Sequence, residues 1–572
     1  MNRKKLPIGI HNFAELISGN YYFVDKSLLI KELLDSGAKV TLLPRPRRFG
    51  KTVNMSMIQH FFENTAPSKQ PGSTPALPSS RHLFTDLKIA QHPACMAKQG
   101  QYPVIFLTFK DVKETSWAEC MTATKTILAE EFRRHRYLLE SPALDDVQKD
   151  EFSAVINKKA SVAACKAALK TLTAHLAKHH QKPAILLIDE YDAPVHAAVE
   201  HGYYDQIINF MRGFLSSGLK DNSNLEFGVL TGILRIAKES IFSGLNNLRV
   251  CTFLEDAYSD KFGLLSPEVA EIISYFGISK DISEVASWYD GYQSGQHKIY
   301  NPWSILNMID TSGQMRPYWI NTSDNALLKN VLQNGALGVK EGLEQVMQGK
   351  PLTKELDENV VLTKIMSNER TAWSLLFMSG YLTFENYRPD PRQVGSWIAD
   401  LKVPNTEIAW IYKTEILSWF EGDKVTAQYR SLLQSLVNGD VDGFKELFGD
   451  FAMQTLSIFD ATGKNPEKFY HGLVLGMLAS LRDTHEVVSN RESGIGRYDV
   501  CIFPHDPTKP GIIIEFKVVS KAKKETLKTA AQAALRQISE KDYAAAMHAR
   551  GITNIVKLGI AFQGKKNLVL AG

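Results

Sequence analysis

The sequence predicts an α/β protein in three parts: an N-terminal domain over residues 1–254 with a mostly parallel sheet, a mostly helical region over 255–455, and a smaller α/β domain over 456–572. Two observations lead there. Short apolar runs alternate with helical stretches through the first part, the order that builds a parallel sheet covered by helices. That alternation lapses in the aromatic-rich middle and returns after Gly463, in a stretch long enough for a core of its own.

In chain order, residues 38–43 (Ala-Lys-Val-Thr-Leu-Leu) form a strand before a Pro/Arg/Gly loop, and a helix is expected from Thr52 to Glu63. Residues 65–80 are rich in Pro, Ser and Thr without periodicity and read as a surface loop. Val104 to Phe109 is a strand, 115–180 is largely helical with a turn near 141, Ala184 to Ile188 is a buried strand, and Phe227 to Thr231 is another. The last part reads as a helix, strands at 498–503 and 511–517, a Lys-rich segment, a helix at 525–549 and a strand near 555–562.

At 572 residues the chain is too long for one core, and 44% hydrophobic with 22% charged residues is the make-up of a soluble globular protein. A net charge of +4 does not by itself call for nucleic acid. The five cysteines are scattered without metal-ligand spacing, which suits reduced thiols. No apolar run approaches a membrane span, so no membrane partner and a cytoplasmic location are expected.

The loop after the first strand reads Arg45-Pro46-Arg47-Arg48-Phe49-Gly50-Lys51-Thr52. A phosphate-binding loop needs backbone amides around the phosphate oxygens, a lysine on the β/γ-phosphates, a hydroxyl on Mg²⁺ and a helix N-terminus behind them. Gly50, Lys51 and Thr52 fill the second half of that pattern, while Arg45 stands where its first glycine would be. Gly-Lys-Thr alone also suits a basic turn before a helix. About 140 residues later the strand Ala184–Ile188 ends in Asp189-Glu190. In a P-loop NTPase the first such acid belongs to the Mg²⁺ shell and the second polarises the attacking water. Thr231, at the end of the next strand, stands where such ATPases place a γ-phosphate sensor, and Arg235 is a candidate charge-stabilising arginine, although a polar strand end and a surface arginine fit the two equally; a neighbouring subunit of a homo-oligomer is the other source of such an arginine.

These segments, with Tyr21-Tyr22-Phe23-Val24-Asp25-Lys26-Ser27, Ile188-Asp189-Glu190-Tyr191-Asp192, Thr231-Gly232-Ile233-Leu234-Arg235-Ile236-Ala237-Lys238 and Ile241-Phe242-Ser243-Gly244-Leu245-Asn246-Asn247, closely resemble the bacterial AAA-ATPase-like family. So do Trp288-Tyr289-Asp290-Gly291-Tyr292 and Tyr300-Asn301-Pro302-Trp303-Ser304, which are expected to serve turns and core packing. Arg in place of the first loop glycine is usual in that family. The resemblance implies an ATPase core using ATP and Mg²⁺, often followed by a PD-(D/E)XK nuclease-like domain.

In the last part, Asp499 and Glu515-Phe516-Lys517 fall on consecutive strands, with Glu515 and Lys517 on one face. A hairpin through the Pro504–Gly511 loop would bring Asp499 beside them. Hard oxygens for Mg²⁺ plus a group that activates water make a metal-dependent nuclease site, although charged residues on an exposed strand face give the same spacing. Here Tyr470-His471-Gly472, the stretch 489–499 and Ile514-Glu515-Phe516-Lys517 resemble the nuclease-like domain of the same family. The resemblance implies that Asp499 and Glu515 are metal ligands, that Lys517 positions or deprotonates water, that Glu467 is an accessory acid, and that Gln537 and Tyr543 support the site. From residue 460 onward 17 Lys/Arg face 11 Asp/Glu, including Lys521, Lys523, Lys524 and Lys528, with Arg491 and Arg497 beside the Gly-rich turn. Such an excess can hold phosphates without reading sequence, or simply solvate a helix start.

The reading is thus a P-loop NTPase domain, a helical middle region and an α/β PD-(D/E)XK nuclease-like domain acting on nucleic acid, DNA favoured over RNA. The alternative is an ATP-dependent switch that binds a partner or DNA without cleaving it.

Overall fold

The computed structural model describes residues 3–64, 80–236, 246–319, 331, 337–347, 349–357, 368–392, 397–418, 423–459, 473, 476–477, 480–481, 484–493, 496–519, 525–563 and 566–572. They fall into two compact units, 1–325 with 353–407, and 326–352 with 408–572.

The first unit is built on strands β1 (Val40–Pro44), β2 (Val104–Thr108), β3 (Ala184–Asp189), β4 (Leu225–Gly232) and β5 (Leu248–Val250), ordered β2-β3-β4-β1-β5. Every neighbouring pair is parallel. All residues of β1 and β3 are buried, so both faces of the sheet are covered, as continuous apolar strands require. The helices Lys51–Phe62, Trp117–Arg134, Val162–His180 and Tyr204–Leu219 supply cover. Because the chain runs from β1 out to β2 and returns through β3 and β4, β4 separates β3 from β1. Pro44, Asp189 and Gly232 therefore end side by side, at the carboxyl edge where open α/β sheets bind ligands.

The β2 edge is closed by side chains. The Phe106 N–H donates to Glu131 Oε1 at 2.9 Å, and Arg134 donates to the Val104 carbonyl. Arg134 also pairs with Glu131 at 2.6 Å and with Glu63, just past the Lys51–Phe62 helix. Burial opposes the charge on Glu131, yet Arg134 and His135 hold its carboxyl down at about 2.

Beyond β5, helices Ser266–Tyr275, Ile282–Tyr289 and Pro302–Asp310 share a core of Val269, Ile272, Tyr289, Ile305 and Met308. This middle region, expected as helical, also holds a ribbon of β6 (Tyr292–Ser294) and β7 (His297–Ile299), and a sheet ordered β8 (Leu352–Glu355), β10 (Trp397–Lys402), β9 (Thr383–Pro389).

The second unit carries β11 (His485–Ser493), β12 (Gly496–Pro504), β13 (Gly511–Val518), β14 (Ile555–Gln563) and β15 (Lys566–Ala571), side by side in sequence order. Only β13–β14 is parallel, and the helix Leu527–Glu540 makes the crossover that a parallel pair needs. Ala530, Ala531, Ala534 and Ile538 form its buried face. The helix expected over 525–549 stops at Glu540: Asp542 takes a positive φ of 48° and only a short turn, Ala545–His548, follows. β5, β11 and β15 were not read in the sequence. The proline-rich stretch 65–79 lies outside the described residues.

One buried acid in the first unit has a pH signature. Glu407 is 0% exposed; its carboxylate accepts the Ser304 hydroxyl at 2.8 and 3.0 Å and the Trp319 N–H at 2.9 Å. Burial outweighs these bonds and pushes its carboxyl up to about 7. The folded protein thus keeps a proton that the unfolded chain releases near pH 4.5, so stability falls as pH rises from there through about 7. Glu407→Gln imitates the neutral acid. It should match wild type near pH 4.5 and be more stable at pH 8, by on the order of 2 kcal/mol. Denaturant unfolding of both proteins at the two pH values checks this; equal stability at pH 8 would count against it.

Candidate functional site

The loop between β1 and the helix Lys51–Phe62 has a frame that its sequence only hints at. Gly50 takes φ +82° as the residue before the helix, a left-handed conformation suited to glycine. Arg45, in place of a first glycine, is 1% exposed and turned back into the protein. Its guanidinium donates to the carbonyls of Pro44 at 2.8 Å and Cys251 at 2.6 Å. It also lies between the rings of Phe253 and Phe262, 5.2 and 5.0 Å from their centroids. Burial lowers its pKa to about 10, which leaves it charged at neutral pH. Arg45 is a brace that fastens the loop to residues 251–262. The middle-region motifs pack on the same loop: Tyr292 meets Phe49 edge-on at 5.0 Å, and Trp303 lies under the Arg48 guanidinium at 4.1 Å. Asn301 caps the helix Pro302–Asp310.

Lys51 is 3% exposed and donates to the carbonyls of Arg45 at 3.1 Å and Pro46 at 3.0 Å. Burial pushes its pKa below the usual lysine value, and Glu190, Asp189 and Asp192 pull it part of the way back. Thr52 Oγ1 donates to Asp189 Oδ2 at 2.7 Å, and Thr231 Oγ1 donates to Asp189 Oδ1 at 2.5 Å. Asp189 is fully buried. Thr52, Asp189 and Thr231, far apart in sequence, are therefore one hydrogen-bonded group beside Lys51. A hydroxyl and a buried carboxylate 2.7 Å apart are hard oxygen donors of the kind Mg²⁺ takes.

Glu190 follows at φ +51°, rare for a residue with a side chain. The next two residues pin the segment beyond β4. The Tyr191 hydroxyl donates to Leu234 O at 2.6 Å and accepts the Ile236 N–H at 3.2 Å. Asp192 Oδ2 accepts the amides of Ile233 at 2.8 Å and Leu234 at 3.0 Å, and lies 3.3 Å from His196 Nε2. Burial alone would raise the Asp192 carboxyl, but these partners hold it below its ordinary value. A Cβ on Gly232 would come within 2.6 Å of Asp192 Oδ1, so that close approach needs glycine. Arg235 sits on the pinned segment with its Nε buried. Among the described residues its guanidinium makes no hydrogen bond to Asp189, Thr52 or Thr231. Residues 237–245, with Lys238 and most of the Ile241–Asn247 motif, lie outside the described residues.

Beside Gly50 opens an apolar cavity of about 140 Å³, lined by Val24, Phe49, Val53, Ile272 and Leu306, with Lys26 also on its wall. A dry cavity of roughly 150 Å³ accepts a benzene-sized ring.

In the second unit β12 and β13 pair antiparallel, Cys501 against Ile513 and Val500 against Ile514, so Asp499 and Glu515 come next along the ladder. Each carboxylate takes a backbone amide from the other strand: Phe516 N–H donates to Asp499 Oδ2 at 2.7 Å, and Asp499 N–H donates to Glu515 Oε2 at 3.3 Å. Lys517 Nζ donates to Glu515 Oε1 at 3.1 Å. Gln537, on the crossover helix, donates to the same oxygen and to the Tyr543 hydroxyl, the latter at 3.1 Å. Burial raises the Asp499 carboxyl; burial and then the Asp499 charge push Glu515 up to about 7. Two acids driven toward neutrality, with a lysine at one of them, are a donor set that a hard divalent cation would re-ionise. Among the described residues no third His, Cys, Asp or Glu joins them. Glu467 and Lys521, Lys523 and Lys524 lie outside the described residues, as do the side chains of Arg491 and Arg497.

Comparison with known proteins agrees with this layout. The family described as a predicted AAA-ATPase matches residues 7–242, and the PD-(D/E)XK nuclease superfamily matches residues 465–571. The chain carries an AAA-ATPase-like domain and a PD-(D/E)XK nuclease-superfamily domain. It is also similar to a protein of Azotobacter chroococcum mcd 1 described as an uncharacterized protein in the vnfD 5′ region. The two are 26% identical over 584 residues, spanning 98% of this chain and 97% of that one. No helix among the described residues is long and apolar enough to cross a membrane.

Asp192→Ala removes the acceptor for two amides of the AAA-ATPase-like domain and should cost about 1–3 kcal/mol locally. Hydrogen exchange at Ile233 and Leu234 should then quicken, while β1 and β3 stay protected. Unchanged exchange at both amides would refute the pinning role.

Proposed function

We propose that the AAA-ATPase-like domain binds and hydrolyses ATP with Mg²⁺ at the loop after β1, and that the PD-(D/E)XK domain cleaves nucleic-acid phosphodiesters with Mg²⁺, DNA in preference to RNA. The observation that carries the first half is the sharing of Asp189 by Thr52 and Thr231. The backbone amides opening the Lys51–Phe62 helix would surround the phosphates. Lys51 would exchange the Arg45 and Pro46 carbonyls for phosphate oxygens. Thr52 and Asp189 would hold the cation, and Glu190 would polarise the attacking water. Thr231 would sense the γ-phosphate through its bond to Asp189, and Arg235 would stabilise the charge that develops. The cavity beside Gly50 would take the base.

In the second domain Asp499 and Glu515 would hold the cation, with Glu467 as an accessory acid. Lys517 would position water or take its proton, while Gln537 and Tyr543 fix the orientation of Glu515. At either site the bound ion supplies charge neutralisation at phosphate oxygens and a lowered pKa for ligated water. Nucleotide turnover would govern access of nucleic acid to the nuclease. The five cysteines, all free and buried, suit a reducing cytoplasm.

Nucleotide at ~100 times its dissociation constant adds about 2.7 kcal/mol to the stability of the domain that binds it. Wild type should show the matching rise in melting temperature with ATP, and Lys51→Ala should not; an equal rise in Lys51→Ala would dismiss the loop as the phosphate site. Glu190→Gln should keep the rise and lose most turnover, and wild-type turnover in that variant would remove Glu190 from the mechanism.

For the nuclease, single- and double-stranded DNA and RNA are incubated with wild type and Asp499→Ala, in Mg²⁺ or Mn²⁺ with ATP. Cleavage should fall at least ~10²-fold in the variant, the scale of losing one transition-state stabiliser. No cleavage by wild type in any combination would leave a nucleotide-dependent switch as the better reading, and equal cleavage by both would move the site elsewhere.

A further inference from the structure

The segment 21–27, Tyr-Tyr-Phe-Val-Asp-Lys-Ser, takes no part in the phosphate chemistry, yet it is fastened on both sides. Asp25 accepts the amides of Ser27 at 2.8 Å and Lys88 at 2.6 Å, and the Ser27 hydroxyl accepts the Ile89 N–H at 3.1 Å. Asp25 and Ser27 engage residues 88–89, whereas Tyr22, Phe23, Val24 and Lys26 line the cavity beside Gly50.

Lys26 Nζ donates to both oxygens of Glu268, each at 2.7 Å, and to the Asp260 carbonyl at 2.9 Å. The two side chains are only 9% and 18% exposed. All three ammonium protons are thereby used, so Lys26 has none left for a ligand. Glu268 in turn accepts the Leu265 N–H at 2.8 Å, at the start of the helix Ser266–Tyr275. One turn further along that helix, Ile272 reaches the cavity, as do Gly263 and Leu264 just before it.

We propose that Lys26 is a positioning residue for the nucleoside: through Glu268 it holds the segment 21–27 and the helix Ser266–Tyr275 at the spacing that keeps a ring-sized apolar slot beside the phosphate loop. The proposal rests on the reading of that cavity as the base site. A buried ion pair adds little net stability compared with apolar packing, and removing one partner strands the other charge. The effect of losing it should therefore fall on the nucleoside and spare the phosphates.

The test is calorimetric titration of the full chain with ADP and with pyrophosphate, which offers the phosphates without a base. Wild type should bind ADP more tightly than pyrophosphate. Lys26→Met should weaken ADP at least about tenfold, a change of roughly 1.4 kcal/mol, and leave pyrophosphate unchanged. Lys26→Arg, which can still pair with Glu268, should recover most of the loss. If Lys26→Met does not fold, Glu268→Gln, which keeps the shape and drops the charge, is read in the same way. A wild type with no preference for ADP overturns the base slot and this proposal together. A preference that survives Lys26→Met overturns the role of Lys26 alone, and an equal loss for ADP and pyrophosphate reduces Lys26 to general support of the fold.

Discussion

A single buried carboxylate organises the first unit. Asp189 can meet Thr52 and Thr231 at once only because β4 runs between β3 and β1 and all three strands end on one edge. That order requires a long excursion from β1 to the far strand β2, and it turns three distant stretches of sequence into neighbours. The rest of the site follows from keeping those strand ends fixed. Arg45 braces the loop from behind, Tyr191 and Asp192 pin the chain leaving β4, and the middle-region aromatics pack beneath Phe49 and Arg48.

The second unit solves a related problem differently. Its two acids are held by backbone amides donated across the β12–β13 pair, so the carboxylates are oriented by the same geometry that makes the sheet. A slip of one residue between β12 and β13 would turn one acid to the opposite face.

Much of this was legible in the sequence. Val40–Pro44, Val104–Thr108, Ala184–Asp189 and Leu225–Gly232 are apolar runs of strand length, and burial on both faces makes such runs stand out. The acids at the end of β3 were read from the apolar run that leads into them, and the neighbourhood of Asp499 and Glu515 from a hairpin expected through the Pro/Gly loop between their strands, while the roles of these residues rested on the family resemblance. β5 escaped because it is three residues long with an arginine at its centre, and β11 because His485–Ser493 is mostly polar. The brace made by Arg45 was illegible for another reason: apart from the adjacent Pro44 carbonyl its partners are carbonyls and rings more than 200 residues away, and a carbonyl leaves no mark in the sequence. The same holds for Lys26, whose meaning depends on Glu268 and on a cavity.

The closure of the β2 edge bears on how copies of this chain can meet. An outer strand normally offers a row of amides and carbonyls to any passing strand. Here the Phe106 amide and the Val104 carbonyl are taken by Glu131 and Arg134, and Arg134 is tied in turn to Glu63. An incoming chain would have to break charged hydrogen bonds at these two positions before it made neutral ones, which opposes strand addition there. The cap works as a terminator: at these positions it sets the width of the sheet at the level of electrostatics.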